Sequence, residues 1–151
     1  WRWLIANDSV SKITNFKNQY VLLTNSDIIT NINFEEFFID FIKSDADMSV
    51  VSIPYEVEVP YAVVKTDGHL VKSFEEKPSY TYFSNGGIYL IKRHILEKIP
   101  KNKFYDATDL MQAVIDEDLK LVHFPLTDYW IDIGKHRSLL KAQKDVGKIQ
   151  F

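Results

Sequence analysis

Tyr20-Val21-Leu22-Leu23-Thr24 is an unbroken apolar, β-prone run, the pattern of a strand buried on both faces. It stops at Asn25-Ser26-Asp27, and Asn33 then offers a helix cap followed by Glu35 and Glu36 in the first turn. Phe34, Phe37, Phe38, Phe41 and Ile42 recur at helical spacing. Met48 to Ile53 predicts a second buried strand, ended by Pro54. Strand, helix, strand in that order predicts a right-handed parallel crossover.

Beyond Pro54 the pattern shortens. Tyr61 to Lys65 and Leu70 to Phe74 flank Thr66-Asp67-Gly68-His69, and Asp-Gly between two β-prone runs is a hairpin signal. Tyr80 to Ser84 and Gly87 to Ile91 predict two further short strands. His94 to Ile99 predicts a short helix stopped by Pro100, and Ala107 to Asp116 a longer one with Leu110, Met111, Val114 and Ile115 on one side. Leu119 to Pro125 and Tyr129 to Ile133 return to strands. Lys135 to Val146 closes with an amphipathic helix and Gly147 as its stop. The expected class is α/β, a mixed, mainly parallel central sheet with flanking helices, in one domain over residues 1–151.

Composition narrows the function. At 151 residues, with 46% hydrophobic and 26% charged positions, the chain suits one soluble core. A net charge of −3, with Lys and Arg scattered among Asp and Glu, gives no basic stripe for nucleic acid. No apolar run approaches the roughly 18 residues of a membrane span. The absence of cysteine removes disulfides, thiolate metal sites and cysteine nucleophiles, and fits a cytoplasmic location. The chain opens at Trp1-Arg2-Trp3-Leu4 without an initiator Met, which reads as a fragment.

Four places could carry chemistry. Asp27 lies just past the carboxyl end of a buried strand, where open sheets place ligands. A carboxylate there suits Mg²⁺, which borrows substrate phosphates for much of its shell; a turn aspartate binding backbone N–H groups fits equally. Asp132, in Trp130-Ile131-Asp132-Ile133-Gly134, sits among apolar neighbours, so its charge calls for a cation, a cap or an ion pair near Lys135. Pro78 pushes Lys77 of Phe74-Glu75-Glu76-Lys77-Pro78 towards an extended conformation, holding out an ammonium for a phosphate; a solvated charge cluster is the plainer reading. Asn85-Gly86-Gly87 would let backbone approach a ligand while the Asn amide bonds sugar hydroxyls, or it is an ordinary turn. The four histidines (His69, His94, His123, His136) lack ligand spacing, and no serine-hydrolase, Walker-type or dinucleotide glycine pattern occurs.

Taken in order, Asn25-Ser26-Asp27, Tyr61-Ala62-Val63-Val64, Phe74-Glu75-Glu76-Lys77-Pro78, Asn85-Gly86-Gly87-Ile88-Tyr89 and Trp130-Ile131-Asp132-Ile133-Gly134 resemble the sugar-phosphate nucleotidyltransferases. Within that family the likeness is greatest to the mannose-1-phosphate guanylyltransferase and glucose-1-phosphate thymidylyltransferase branch. It runs from about Ser11 to about Lys144. The resemblance implies a partial Rossmann-like nucleotide-diphospho-sugar transferase fold and the reaction NTP plus sugar 1-phosphate to NDP-sugar plus pyrophosphate. It implies Asp27 and Asp132 as catalytic ligands of Mg²⁺, Lys77 as the catalytic cation on the sugar phosphate, Glu76 on sugar hydroxyls, and Ala62, Asn85 and Gly87 lining the sugar.

The departures matter as much. The family's opening Gly-x-Gly-Thr-Arg loop and Pro-Lys-Pro segment, which hold the triphosphate and base, have no counterpart. A later Gly-Thr-Ala-Gly-like turn would fall at Ala6-Asn7-Asp8-Ser9 and does not match. Ala62 and Ser26 stand where the family has glycine, which narrows backbone access. The expectation is therefore a nucleotidyltransferase part that makes no NDP-sugar alone. The runner-up is a non-catalytic sugar-phosphate-binding or regulatory module. A metal-dependent glycosyltransferase would want two acidic residues flanking one position, and Asn25-Ser26-Asp27 offers one. Without the amino-terminal strands a sheet edge and apolar surface should be exposed, so self-association as a homo-oligomer, or partial disorder near Trp1 to Val10, is expected.

Overall fold

The computed structural model describes residues 18–100 and 103–149; expectations that fall on Trp1 to Val10 and Ala6 to Ser9 lie outside them. The chain runs β1 (Tyr20–Thr24), β2 (Ile28–Thr30), α1 (Phe34–Ser44), β3 (Met48–Glu58), β4 (Val63–Asp67), β5 (Leu70–Glu75), β6 (Ser79–Lys92), a 3₁₀ turn (Arg93–Lys98), α2 (Ala107–Asp116), β7 (Leu121–Pro125), β8 (Trp130–Asp132), α3 (His136–Asp145) and a last 3₁₀ turn (Val146–Lys148). Helices α1 and α2 start where local chemistry places them. Asn33 accepts the Glu36 N–H at 3.1 Å, and Asp106 and Asp109 satisfy each other's backbone as a capping box before α2.

Four strands build the main sheet in the order β1-β6-β3-β7. The fold is mixed α/β as expected, but of these three pairings only β3–β7 is parallel; β1–β6 and β3–β6 are antiparallel. β1 and β3 do run the same way, with β6 inserted between them. Strand β6 divides the core by alternation. Ile88 and Leu90 face α1, where Phe37, Phe41 and Val51 close one layer, while Tyr89 and Ile91 join Met48, Ile95, Leu110 and Val114 under α2 on the other face.

Several boundaries differ from the sequence reading. Pro54 does not end β3, which runs on to Glu58. Past Ser52 it has, among the described residues, β6 on one side only, and a one-sided strand tolerates a missing N–H. The two strands expected around Asn85-Gly86-Gly87 are one strand carrying a bulge, where the register slips between Val50 and Ser52. β1, like β7, is an outer strand of the sheet among the described residues and is buried mainly at Val21, with Leu22 45% exposed, so it is not covered on both faces. Gly147 lies inside the final 3₁₀ turn; α3 has already ended at Asp145.

Candidate functional site

The bulge in β6 and the end of β1 meet. Asn25 donates its N–H to the Gly87 carbonyl at 2.8 Å. Its side chain lies against the bare Cα of Gly87, where a Cβ would come within 2.3 Å of Asn25 Nδ2, and Gly87 holds φ +73°. Only glycine fits there without strain. Asn85 accepts the Gly87 N–H at 2.9 Å, and its amide nitrogen donates to the Tyr89 hydroxyl at 2.8 Å. The Trp130 indole donates to the Gly86 carbonyl at 2.9 Å. The bulge is thus held from three sides, and the Asn85 amide is largely engaged within the chain.

These residues line a cavity of about 290 Å³ together with Asn25, Ile28, Thr108 and Asp132. Its walls are mostly apolar with a few polar groups, the usual make-up of a small-ligand site. Tyr89 has its phenol pushed up, chiefly by burial, so it stays a neutral donor at ordinary pH.

Asp27 and Asp132, more than a hundred residues apart in sequence, come together through the short β2–β8 pairing. Ile28 stands opposite Asp132, and Ile133 donates its N–H to the Asp27 carbonyl at 2.8 Å. The Asp27 carboxyl is raised above its ordinary value of 3.8, first by desolvation; its own N–H opposes the shift and the Asp132 charge adds to it. Its Oδ1 is buried with no hydrogen-bond partner. A buried carboxylate oxygen left unpaired beside a second carboxylate is costly unless a cation answers both. Two hard oxygen donors fit Mg²⁺, which needs few protein ligands when phosphates complete its shell. No cluster of three or more His, Cys, Asp or Glu able to hold a metal occurs among the described residues, so a full protein cage is not offered. One oxygen of Asp132 also accepts the Gly134 N–H at 2.7 Å, which fixes the carboxylate.

Asn85, Gly87 and Asp132 line the cavity; Asp27, between the lining residues Asn25 and Ile28, does not itself line it, and neither do Ala62, Glu76 and Lys77. The last three sit exposed at the base of the β4–β5 hairpin. Lys77 has φ 44°, in the left-handed region rather than the extended one expected before Pro78. Pro78 is buried and its carbonyl accepts the Val59 N–H at 3.0 Å, so the hairpin's closure dictates the backbone there. Asn25, Ile28, Tyr89, Thr108 and Trp130 are wall residues that the sequence reading did not single out. Thr108, in the first turn of α2, carries no sequence signal that could have found it.

Residues 6–149 match the family model described as Nucleotidyl transferase. The glucose-1-phosphate adenylyltransferase of Bacillus mycoides (strain KBAB4) is 25% identical over 150 residues, covering 91% of this chain and 40% of the relative. The chain therefore spans well under half the length of the curated relatives it matches. Among solved structures, a Bacillus anthracis protein provisionally named glucose-1-phosphate thymidylyltransferase, in complex with a sucrose, superposes with a TM-score of 0.63 at 21% identity, covering 97% of this chain and 59% of that one. HddC from Yersinia pseudotuberculosis gives a TM-score of 0.61 at 21% identity, covering 93% and 60%.

Proposed function

The chain belongs to the nucleotidyl transferase family, and on that footing we propose that it forms the sugar-phosphate- and metal-binding part of a sugar-1-phosphate nucleotidyltransferase. In that reaction a phosphate oxygen of the sugar 1-phosphate attacks the α-phosphorus of the NTP in line. The new P–O bond forms, the bond to the β-phosphate's bridging oxygen breaks, and pyrophosphate leaves. Such chemistry asks for positioning and charge neutralisation rather than a covalent catalyst.

The observation that carries the reading is the pairing of Asp27, with its orphaned Oδ1, and Asp132 beside the cavity that Asn85, Gly87 and Trp130 shape. In this proposal Asp27 and Asp132 hold Mg²⁺, which when bound offsets the phosphates' charge. Gly87 and Asn85 present the bulge to the sugar, and Trp130 and Ile28 give its ring an apolar wall. In the same proposal Glu76 binds sugar hydroxyls, Lys77 meets the sugar phosphate and Ala62 borders the sugar, which asks the hairpin base to approach the cavity when the ligand binds.

Titration calorimetry with glucose 1-phosphate as the probe, in millimolar Mg²⁺ and then in EDTA, tests this. Binding should need the metal, should weaken at least tenfold in Asp27→Ala and in Asp132→Ala, and should weaken in Lys77→Ala. Binding untouched by both aspartate changes would overturn the site. A pyrophosphate-release assay on the chain with NTP and sugar 1-phosphate is expected to show no turnover; turnover abolished by Asp27→Ala would overturn that part alone.

A further inference from the structure

Ser52 is 4% exposed and stands where three strands meet, paired with Asn85 of β6 on one side and Pro125 of β7 on the other. Both neighbours change course at this level. Between the pairs Ser52–Asn85 and Val50–Tyr89, β3 has one residue, Val51, and β6 has three, Gly86, Gly87 and Ile88, which is the bulge. On the other side β7 leaves the sheet, and Pro125, its last paired residue, has no N–H to give the ladder.

The departing strand is fastened to Ser52 twice. Leu126 donates its N–H to the Ser52 carbonyl at 2.8 Å, and the Ser52 hydroxyl shares a hydrogen bond with His123 Nδ1 at 2.7 Å. His123 and Pro125 lie on one face of β7, so the ring reaches Ser52 as a diagonal neighbour across the pair. The imidazole is otherwise exposed, with the Phe83 ring against it at 5.0 Å between centroids. A hydroxyl as buried as that of Ser52 needs a partner, and His123 supplies it. Leu126, 3% exposed, also anchors this stretch, but apolar burial is non-directional and does not fix where along β3 the strand sits. Hydrogen bonds do. Four residues past Leu126 comes Trp130, whose indole donates to the Gly86 carbonyl at 2.9 Å. The contacts close a ring, from Ser52 to Leu126, along the chain to Trp130, across to Gly86, and through Asn85 back to Ser52.

We propose that Ser52 and His123 are positioning residues, whose hydrogen bond pins the end of β7 to β3 and so seats Trp130 on the bulge that shapes the cavity. Neither side chain lines the cavity, so the pin acts on a ligand only through Trp130 and the bulge. Its effect on a sugar phosphate rests on the reading of the site proposed above; its effect on Trp130 does not.

Two readouts on the 151-residue chain test this. The first needs no ligand: the indole N–H resonance of Trp130 in a proton–nitrogen correlation spectrum, assigned by its loss in Trp130→Phe, and the rate at which that proton exchanges with solvent. Ser52→Ala and His123→Ala should each move the resonance and speed the exchange. His123→Asn should restore both, because an amide on the same stem can serve as donor or acceptor. Val114→Ala, which hollows the fully buried layer under α2, should lower stability and leave the resonance in place. The second readout is calorimetry with glucose 1-phosphate in Mg²⁺, where the two alanine variants should bind roughly threefold to tenfold more weakly and His123→Asn like the wild type. Circular dichroism checks that each variant is folded, and His123→Ala, at an exposed position, carries the test alone if Ser52→Ala does not fold. A Trp130 resonance indifferent to the alanine changes overturns the proposal, as does one that Val114→Ala moves equally or that His123→Asn fails to restore. A wild type that binds no glucose 1-phosphate overturns the sugar-phosphate reading instead, and the indole proton still decides the pin.

Discussion

Replacing Asp27 by asparagine should make the metal-free protein more stable while destroying its site. The native fold holds this carboxylate partly desolvated, with Oδ1 unpaired and Asp132 close enough to raise its proton affinity. An unsatisfied buried acceptor costs about 1–3 kcal/mol, and more when charged. Asparagine keeps the shape and the acceptor but removes the charge, so it relieves the repulsion and part of the desolvation, a gain of about 1–2 kcal/mol at neutral pH. For a chain of this length each kcal/mol moves Tm by about 2–4 °C, so the expected rise is about 2–8 °C. The pH dependence gives the signature. Because the folded pKa lies above the ordinary 3.8, the native state holds its proton longer than the unfolded state, and wild-type stability falls as pH rises from near 3.8 through the folded value. Thermal and urea unfolding in EDTA at several pH values should show the two proteins alike in acid and diverging towards neutrality. Adding Mg²⁺ should then stabilise the wild type and not the variant. A variant less stable than wild type at neutral pH, or a gap of constant size across pH, would refute the reasoning.

Asp47 predicts the opposite limb. Burial raises its carboxyl, but the Lys120 N–H and the hydrogen bond and charge of Lys92, with His94 adding, outweigh that and lower it. Its contribution is present above 3.8 and lost as pH falls through the lowered folded value, so Asp47→Asn should cost about 1.5–3 kcal/mol at neutral pH by urea unfolding and nothing in strong acid. Gly87→Ala would force a Cβ to within 2.3 Å of Asn25 Nδ2 at φ +73°, and should lose about 1–3 kcal/mol of stability and most sugar-phosphate binding by calorimetry. Phe37→Ala empties a fully buried position packed on Phe124 at 5.2 Å between ring centroids, and should cost about 3–5 kcal/mol by chemical denaturation.

What could be read from sequence was local. Asn33 announces its helix because a cap acts within three residues, and the α1 and α2 periodicities need only one buried stripe each. What escaped depended on neighbours in space. Asn85-Gly86-Gly87 has turn chemistry, yet its residues serve a bulge because β3 lies alongside to carry the strand through. Pro54 would stop a strand bonded on both sides and does not stop one bonded on a single side. Three-residue β2 is too short to show a period, although it is what brings Asp27 to Asp132. The site's acidic pair was legible as two suspicious carboxylates, whereas Thr108 had no signal at all. The left-handed backbone at Lys77 follows from the hairpin's closure at Pro78, a tertiary constraint that outranks the dipeptide rule.

The insertion of β6 between β1 and β3 has a consequence for how the protein is made. As the chain leaves the ribosome, β1 and β3 emerge before β6, the partner they share, and β7, the other neighbour of β3, is later still. The nascent chain can wind α1 early, since a helix closes its own hydrogen bonds, but β3 has nothing to pair with until Ser79 and its successors appear, and β1 nothing until Ile88–Lys92 are clear of the exit tunnel. Until then Tyr20–Thr24 and Met48–Glu58 travel as two open apolar strands, and this is the interval in which a holding chaperone would find most to bind.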